Sequence, residues 1–281
     1  MKNRLIPACL FCLLSANAVA KTACPPLNQQ VNDSNNVILL EGTGKGNVKQ
    51  VIVGGFGKDI NQQARLLGTF DVCGRLTQAD FTFQQTENGV TVEMVNHLES
   101  SPQGWEAVYE VVVTTRKGEQ NVPIRLKQGR IRYQMGQQGN ITSASDTFLL
   151  QGEEGFTQTT YRYNPSMLLT HSVARGTDPL ANGEMVWQWN QRGQLLSGKS
   201  EKRETRYHYD EHFRETQMIT TEKTETGKTV TVDECQLWDE TGNCTLSYTR
   251  ESESLPGRTL TRNLGTAMKY TYWDQPGEVS E

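Results

Sequence analysis

After its first fourteen residues the chain has no apolar run approaching the 18 to 20 residues or so that a helix needs to cross a bilayer. Beyond that stretch it also lacks a CxxC pair, and it has no GxSxG elbow, HExxH helix or SxxK motif; only 4 of its 281 residues are histidine. These absences leave no sign of a membrane-spanning helix, a zinc ribbon, a catalytic dithiol or the common hydrolase signatures. Basic charge does not dominate either, with 28 Lys and Arg against 32 Asp and Glu. An acidic chain has no electrostatic reason to hold nucleic acid or anionic lipid. Apolar residues are sparse at 35% with a mean hydropathy of −0.61, a balance that suits one-sided β-sheets better than a thick helical core.

The N-terminus reads as an export signal. Lys2 and Arg4 form a positive start, Leu5 to Leu14 a short apolar stretch, and Ala18-Val19-Ala20 the small-x-small site of a signal peptidase. Residues 1–20 are expected to be cleaved, leaving residues 21–281 as an all-β envelope domain with a sub-boundary near 143–156. Removing the first twenty residues takes the formal charge from −4 to −6, since they hold two basic residues and no acidic one. Lipidation at Cys24 is not expected, because Lys21 puts a charge where a lipid-accepting cysteine needs an aliphatic residue before it.

Four cysteines remain after cleavage: Cys24, Cys73, Cys235 and Cys244. An even number in an exported chain argues for two disulfides, of three pairings. Sequence proximity favours Cys24 with Cys73 and Cys235 with Cys244. On chain-entropy grounds the longer loop contributes roughly 4 kcal/mol and the shorter roughly 2.7 kcal/mol, before native-state strain is subtracted.

Apolar residues at helical spacing are nearly absent from the rest of the chain, whereas period-two alternation with β-branched and aromatic residues recurs throughout. Strands are expected at 51–53, 81–83, 90–94, 107–114, 124–126, 131–133, 159–163, 185–189, 206–209, 229–232, 245–248 and 269–272. Turn signals separate them at Asn88-Gly89, Lys117-Gly118, Gly139-Asn140, Arg192-Gly193 and Gly242-Asn243. The expected fold is an all-β antiparallel meander of hairpins.

One pattern repeats: an aromatic, any residue, a second aromatic, then Asn or Asp opening a turn. It stands at Tyr161-Arg162-Tyr163-Asn164, Trp187-Gln188-Trp189-Asn190 and Tyr207-His208-Tyr209-Asp210, with looser copies at Leu237-Trp238-Asp239 and 270–274. Residues i and i+2 of a strand share a face, so each copy sends two rings to one side of the sheet. Those rings form either the core or a stripe that stacks on sugars or peptides. On the second reading Trp187, Trp189, Tyr207 and Tyr209 are the candidate binding residues.

Tyr207 to Asp210 and Trp238 to Asn243 resemble YD-type hairpin repeats. The chain also resembles the YnfC-like family of enterobacterial envelope lipoproteins. That likeness is carried by Gly46-Asn47-Val48-Lys49, by Gly68-Thr69-Phe70 before Cys73, and above all by Cys235-Gln236-Leu237-Trp238-Asp239 with Gly242-Asn243-Cys244. The resemblance implies an envelope location but brings no activity with it, and without a lipobox cysteine its membrane anchoring does not carry over.

Two chemical motifs remain. Residues 193–200 spell the P-loop string GxxxxGKS, but their flanks are alternating strand sequences rather than a buried strand and a helix, so the match is read as accidental. His208, Asp210 and His212 are weak metal-ligand candidates. In an extended chain the two histidines stand about 13 Å apart at roughly 3.3 Å per residue, so they could share an ion only across a bend. His97 and His171 read as isolated, and the scattered carboxylates single out no pair. The expected function is a noncatalytic periplasmic envelope protein acting as a scaffold or protein-contact module. The alternative is a glycan- or peptide-binding β-module. No cofactor is expected, and the partner is an envelope protein or a glycan.

Overall fold

The structure is a computed structural model that describes residues 24–25, 27–118, 120–224 and 227–273. The expected leader, its cut after Ala20 and the lipidation question at Lys21 lie outside the described residues. A helix, α1 (Asn28–Leu40), is followed by sixteen strands. They are β1 (Val48–Gly57), β2 (Asn61–Phe70), β3 (Leu76–Glu87), β4 (Val90–Ser101), β5 (Gly104–Lys117), β6 (Gln120–Met135), β7 (Ile141–Leu150) and β8 (Glu153–Tyr163). The second half continues with β9 (Leu169–Gly176), β10 (Gly183–Trp189), β11 (Leu195–Lys199), β12 (Arg203–Tyr209), β13 (Glu215–Lys223), β14 (Lys228–Trp238), β15 (Cys244–Leu255) and β16 (Arg258–Tyr272). Each strand pairs antiparallel with its sequence neighbours, and β1 pairs with β16, Val51 opposite Tyr270, so the meander closes into a barrel with no free sheet edge.

All the expected strands lie inside observed ones, but the two expected at 124–126 and 131–133 are parts of one strand, β6. Gly129 between them serves packing rather than a turn. It pairs with Tyr109, and a Cβ there would stand 2.8 Å from the Tyr109 ring and 2.9 Å from Phe148 Cβ. The expected sub-boundary lies near 143–156. That stretch is the β7–β8 hairpin, with Ser143 opposite Thr160 and Leu150 opposite Glu153, and the sheet runs through it unbroken.

The all-β antiparallel meander is present, with an addition that the sequence reading did not include, helix α1. Its sequence, NQQVNDSNNVILL, is rich in Asn, Asp and Ser, which compete with helical hydrogen bonding, so no helix is legible there. The helix is held by the turns of one barrel end. Ser34 Oγ accepts the Leu169 N–H at 2.9 Å and donates to the Met167 carbonyl at 3.0 Å. Asn35 accepts the Ile141 N–H and donates to the Gly139 carbonyl, each at 3.0 Å, and Asn32 donates to the Cys73 carbonyl at 2.7 Å. Because these partners sit on β2–β3, β6–β7 and β8–β9, α1 lies within the mouth of the barrel. The side chains facing it, including Val51, Leu76, Trp105, Ile141, Leu169 and Leu195, are the buried core.

Six turns at this end share one five-residue design: 71–75, 136–140, 164–168, 190–194, 210–214 and 239–243. In each, the first N–H bonds the fifth carbonyl and the fourth N–H bonds the first carbonyl. Where the first residue is Asp or Asn, its side chain also accepts the fifth N–H, as Asn164 does from Leu168 and Asp210 from Arg214. The fourth residue is left-handed. It is glycine in four turns, but Met167 at φ 62° and Phe213 at φ 61° take the same conformation.

The repeated aromatics join this design. The last ring of an even-numbered strand donates to the first carbonyl of the strand before it: Trp189 Nε1 to Leu169 at 2.6 Å, Tyr209 to Leu195 at 2.8 Å, Trp238 Nε1 to Glu215 at 2.9 Å, and Tyr163 to Ile141. Each such residue covers core with its ring and satisfies a strand-end carbonyl with its polar tip.

Both disulfides have the expected pairing, Cys24 with Cys73 and Cys235 with Cys244. The first ties the chain ahead of α1 to the β2–β3 turn, and the second closes the β14–β15 hairpin around the turn at 239–243.

Candidate functional site

Alternation along each strand separates an inner wall facing α1 from an outer wall. The outer wall is charged. His97 on β4 pairs with Asp80 at 2.6 Å and Glu99 at 3.0 Å, so it is not isolated, and both carboxylates hold its imidazolium form to higher pH. Glu106 meets Arg130 and Arg132, Arg175 meets Glu184 at 3.2 Å, and Arg206 meets Glu204 at 2.8 Å. His171 lies 3.9 Å from Glu184.

The inner wall is polar at the end away from α1. Lys127 bonds Asp178 at 2.9 Å and Tyr109 donates to Asp146 at 2.9 Å. At the far mouth Arg262, 9% exposed, reaches Glu87 at 2.8 Å, Glu251 at 2.8 Å and Glu253 at 2.9 Å.

Beneath α1 lies a chamber of about 430 Å³. Asn32, Asn36 and Leu40 of α1 form its roof with the following loop, and Val51, Val53, Leu66 and Phe70 form one wall. The lining continues around the barrel through Tyr270 and Met268, the cross-strand partners of Val51 and Val53, to Asp233, Met218, Glu215, Tyr207 and Tyr209. The loop after α1 is clasped by Asn243, which accepts the Lys45 N–H at 2.8 Å and donates to the Lys45 carbonyl at 2.9 Å. Gly46, at φ 77°, passes so close to the 239–243 turn that a Cβ would stand 2.8 Å from Thr241.

Two carboxyl groups face into this chamber. Burial, and then the neighbouring Asp233, push the Glu215 carboxyl up to about 7, with Lys45 opposing. Burial also raises Asp233, against the opposing effect of the nearby Ser247 and Thr249 hydroxyls. Burial pushes Asp33 on α1 up to about 7 as well, although Gln29 donates to it at 2.8 Å. The Tyr207 phenol is raised to about 12, and Tyr209 and Tyr270 are raised further by the same desolvation. Burial lowers Lys45, whose ammonium donates to the Phe213 carbonyl at 2.6 Å.

Of the residues singled out in the sequence, Trp187, Trp189, Tyr207 and Tyr209 are half-buried and point inward. Trp187, Trp189 and Tyr207 pack with Leu169, Leu195 and Val37 of α1, while Tyr207 and Tyr209 line the chamber. They form no outer stripe. His208, between two inward rings, faces out, His212 is exposed in the turn, and the Asp210 carboxylate is engaged by the Arg214 side chain at 2.8 Å. No group of three metal-ligating side chains stands together among the described residues. The P-loop string supplies the end of the 190–194 turn and then β11, with strand β12 and not a helix after it.

Sequence reasoning missed Glu215 and Asp233. Glu215 opens a strand after a turn rich in charge, and Asp233 stands beside Glu234 in a run that reads as a solvated face. Only strict alternation from Val232, which faces out, would have turned Asp233 inward.

No protein-family model matches the chain, and no curated protein sequence matches it. Among solved structures, a porin-like protein from Bacteroides uniformis is similar at a TM-score of 0.47 and 10% identity, covering 81% of this chain and 99% of that one. The TcdB2–TccC3 complex and the Photorhabdus luminescens Tc holotoxin pore each reach a TM-score of 0.27, at 11% and 12% identity. This chain covers 14% of each of those two, through 70% of its own length. No helix among the described residues is long and apolar enough to cross a membrane.

Proposed function

We propose that this chain is a noncatalytic, exported protein of the Gram-negative envelope, working in the periplasm as a barrel that holds a small molecule beneath α1. The observation that carries this reading is the chamber, whose volume of about 430 Å³ lies within the range of small-molecule sites. It combines an apolar lining with a few polar groups, as such sites do. The disulfides suit an oxidising compartment. Charged pairs along the outer wall suit water, since charges facing lipid are costly near the bilayer midplane.

The test is a small-molecule thermal-shift screen of the mature, oxidised protein beside a Met218→Trp variant, which fills the chamber. Ligands should raise the Tm of the first and not of the second. A diverse screen in which no compound raises the Tm refutes the reading.

A contact-module reading is favoured by the outer wall alone. Val95, Val108 and Phe156 are about half exposed there among the charges, offering apolar anchors to a protein partner. Charge-preserving Val95→Thr and Phe156→Ser changes would then weaken a cross-linked envelope complex without lowering the Tm.

A further inference from the structure

We propose that the chamber selects an organic cation, an amine joined to an apolar or aromatic body, with Glu215 and Asp233 as its counter-charges; this rests on the binding reading above. Glu215 is half-buried, lines the chamber, and makes no side-chain hydrogen bond or ion pair among the described residues. A buried carboxylate without a partner is costly, and one whose partner is a ligand gains on binding what it lacks when free.

The charges facing Glu215 leave that vacancy negative. Asp233 comes from β14, Tyr207 and Tyr209 from β12, Tyr270 from β16 and Lys45 from the loop after α1. Lys45 is the sole cation in this set, and its ammonium is bonded to the Phe213 carbonyl. The 210–214 turn engages it further through the nearby charge of Asp210. An anionic ligand would add a third negative group to the chamber, and a neutral one would leave Glu215 unpaired.

The aromatic surroundings point the same way. Lys and Arg groups cover the faces of Trp105, Tyr109, Phe148, Phe213, Trp238, Tyr248 and Trp273, but among the described residues none covers Tyr207, Tyr209 or Tyr270. Those three rings and Met218 and Met268 supply apolar surface, and the ring faces attract an ammonium group.

The experiment is calorimetric titration of the oxidised mature protein at pH 8 with tryptamine, 3-ethylindole and indole-3-acetate, three indoles of different charge, and with spermidine and choline as cations without a ring. Tryptamine should bind at least tenfold more tightly than 3-ethylindole and indole-3-acetate. Glu215→Gln, which keeps the side-chain volume, should remove that preference while the fold, followed by circular dichroism, is retained. Should Gln at this position unfold the protein, Asp233→Asn in the otherwise native chain serves the same purpose. Equal binding of the three indoles, or tighter binding of the acid, overturns the cation assignment and leaves the binding reading standing. Failure of every amine to bind also overturns the assignment, and a negative chamber screen brings down the binding reading separately.

Discussion

Asn35 on α1 and Ile141 at the start of β7 are joined by a hydrogen bond of 3.0 Å that ties a helix of poor intrinsic propensity to the barrel wall. The Ile141 residue is fully buried, and the same Asn35 amide donates to the Gly139 carbonyl, so one side chain satisfies two backbone groups where the chain leaves the 136–140 turn. Asn35→Leu leaves a buried N–H and a carbonyl without partners, at about 1 to 3 kcal/mol each. Urea denaturation should show a lowered midpoint, and an unchanged one would mean that α1 does not dock as described.

The two disulfides should differ in their effects. Replacing Cys24 and Cys73 by serine frees the chain ahead of α1 as well as removing a loop closure of about 4 kcal/mol. Amide hydrogen exchange across 28–40 should therefore accelerate more than exchange in β14 and β15. Replacing Cys235 and Cys244 should cost up to about 2.7 kcal/mol and leave α1 protected, because the Asp239 turn already closes that hairpin. Nonreducing peptide mapping that joined Cys235 to Cys24 or Cys73 would contradict both expectations.

Arg262 pairs with three glutamates at the far mouth, and each of them raises its pKa further. Arg262→Met keeps much of the side-chain volume but leaves Glu87, Glu251 and Glu253 facing one another. Breaking a buried network from one side costs about 3 to 5 kcal/mol. The added Glu87→Gln and Glu253→Gln changes should recover part of that loss; absence of recovery would point to packing rather than charge.

Stability should fall as pH rises from about 4.5 to 7. The folded protein keeps protons on Glu215 and Asp33, both pushed up to about 7, that the unfolded chain releases at ordinary carboxylate values. Stability then decreases with pH by up to about 1.4 kcal/mol per unit for each such group. Asp178, held below the usual range by Lys127, acts in the opposite sense but only below its ordinary value of 3.8. Denaturation midpoints at pH 5, 6, 7 and 8 would reveal the slope, and Glu215→Gln should flatten it.

Lys199 ends β11 exposed, 3.9 Å from Glu204, and not at a helix N-terminus. Lys199→Ala should leave stability within about 0.5 kcal/mol. The protein should give no titration heat with ATP and magnesium, and nucleotide binding lost in this variant would restore the P-loop reading.

The aromatic pairs show how far local sequence carries. Tyr207 and Tyr209 share a face because a strand alternates, and Asp210 opens a turn because its carboxylate accepts the backbone two and four residues on. Both facts are local and legible. Which wall those rings join is not local, since alternation distinguishes two faces without naming the one that looks into a barrel.

Strand periodicity and the turns follow from the sequence, because each depends on residues close together in the chain, and the even count of cysteines called for two disulfides whose pairing proximity favoured and the fold then fixed. Tertiary structure alone decided the closure of β1 on β16, the helix at Asn28–Leu40 and the chamber. Closure joins residues more than two hundred positions apart, as Val51 meets Tyr270. The helix exists because Asn32, Ser34 and Asn35 find turn backbones to bond, which outweighs their preference for irregular structure. Glu215 and Asp233 share a chamber because β13 pairs with β14, setting Met218 opposite Asp233, and because α1 roofs the space that this pairing lines.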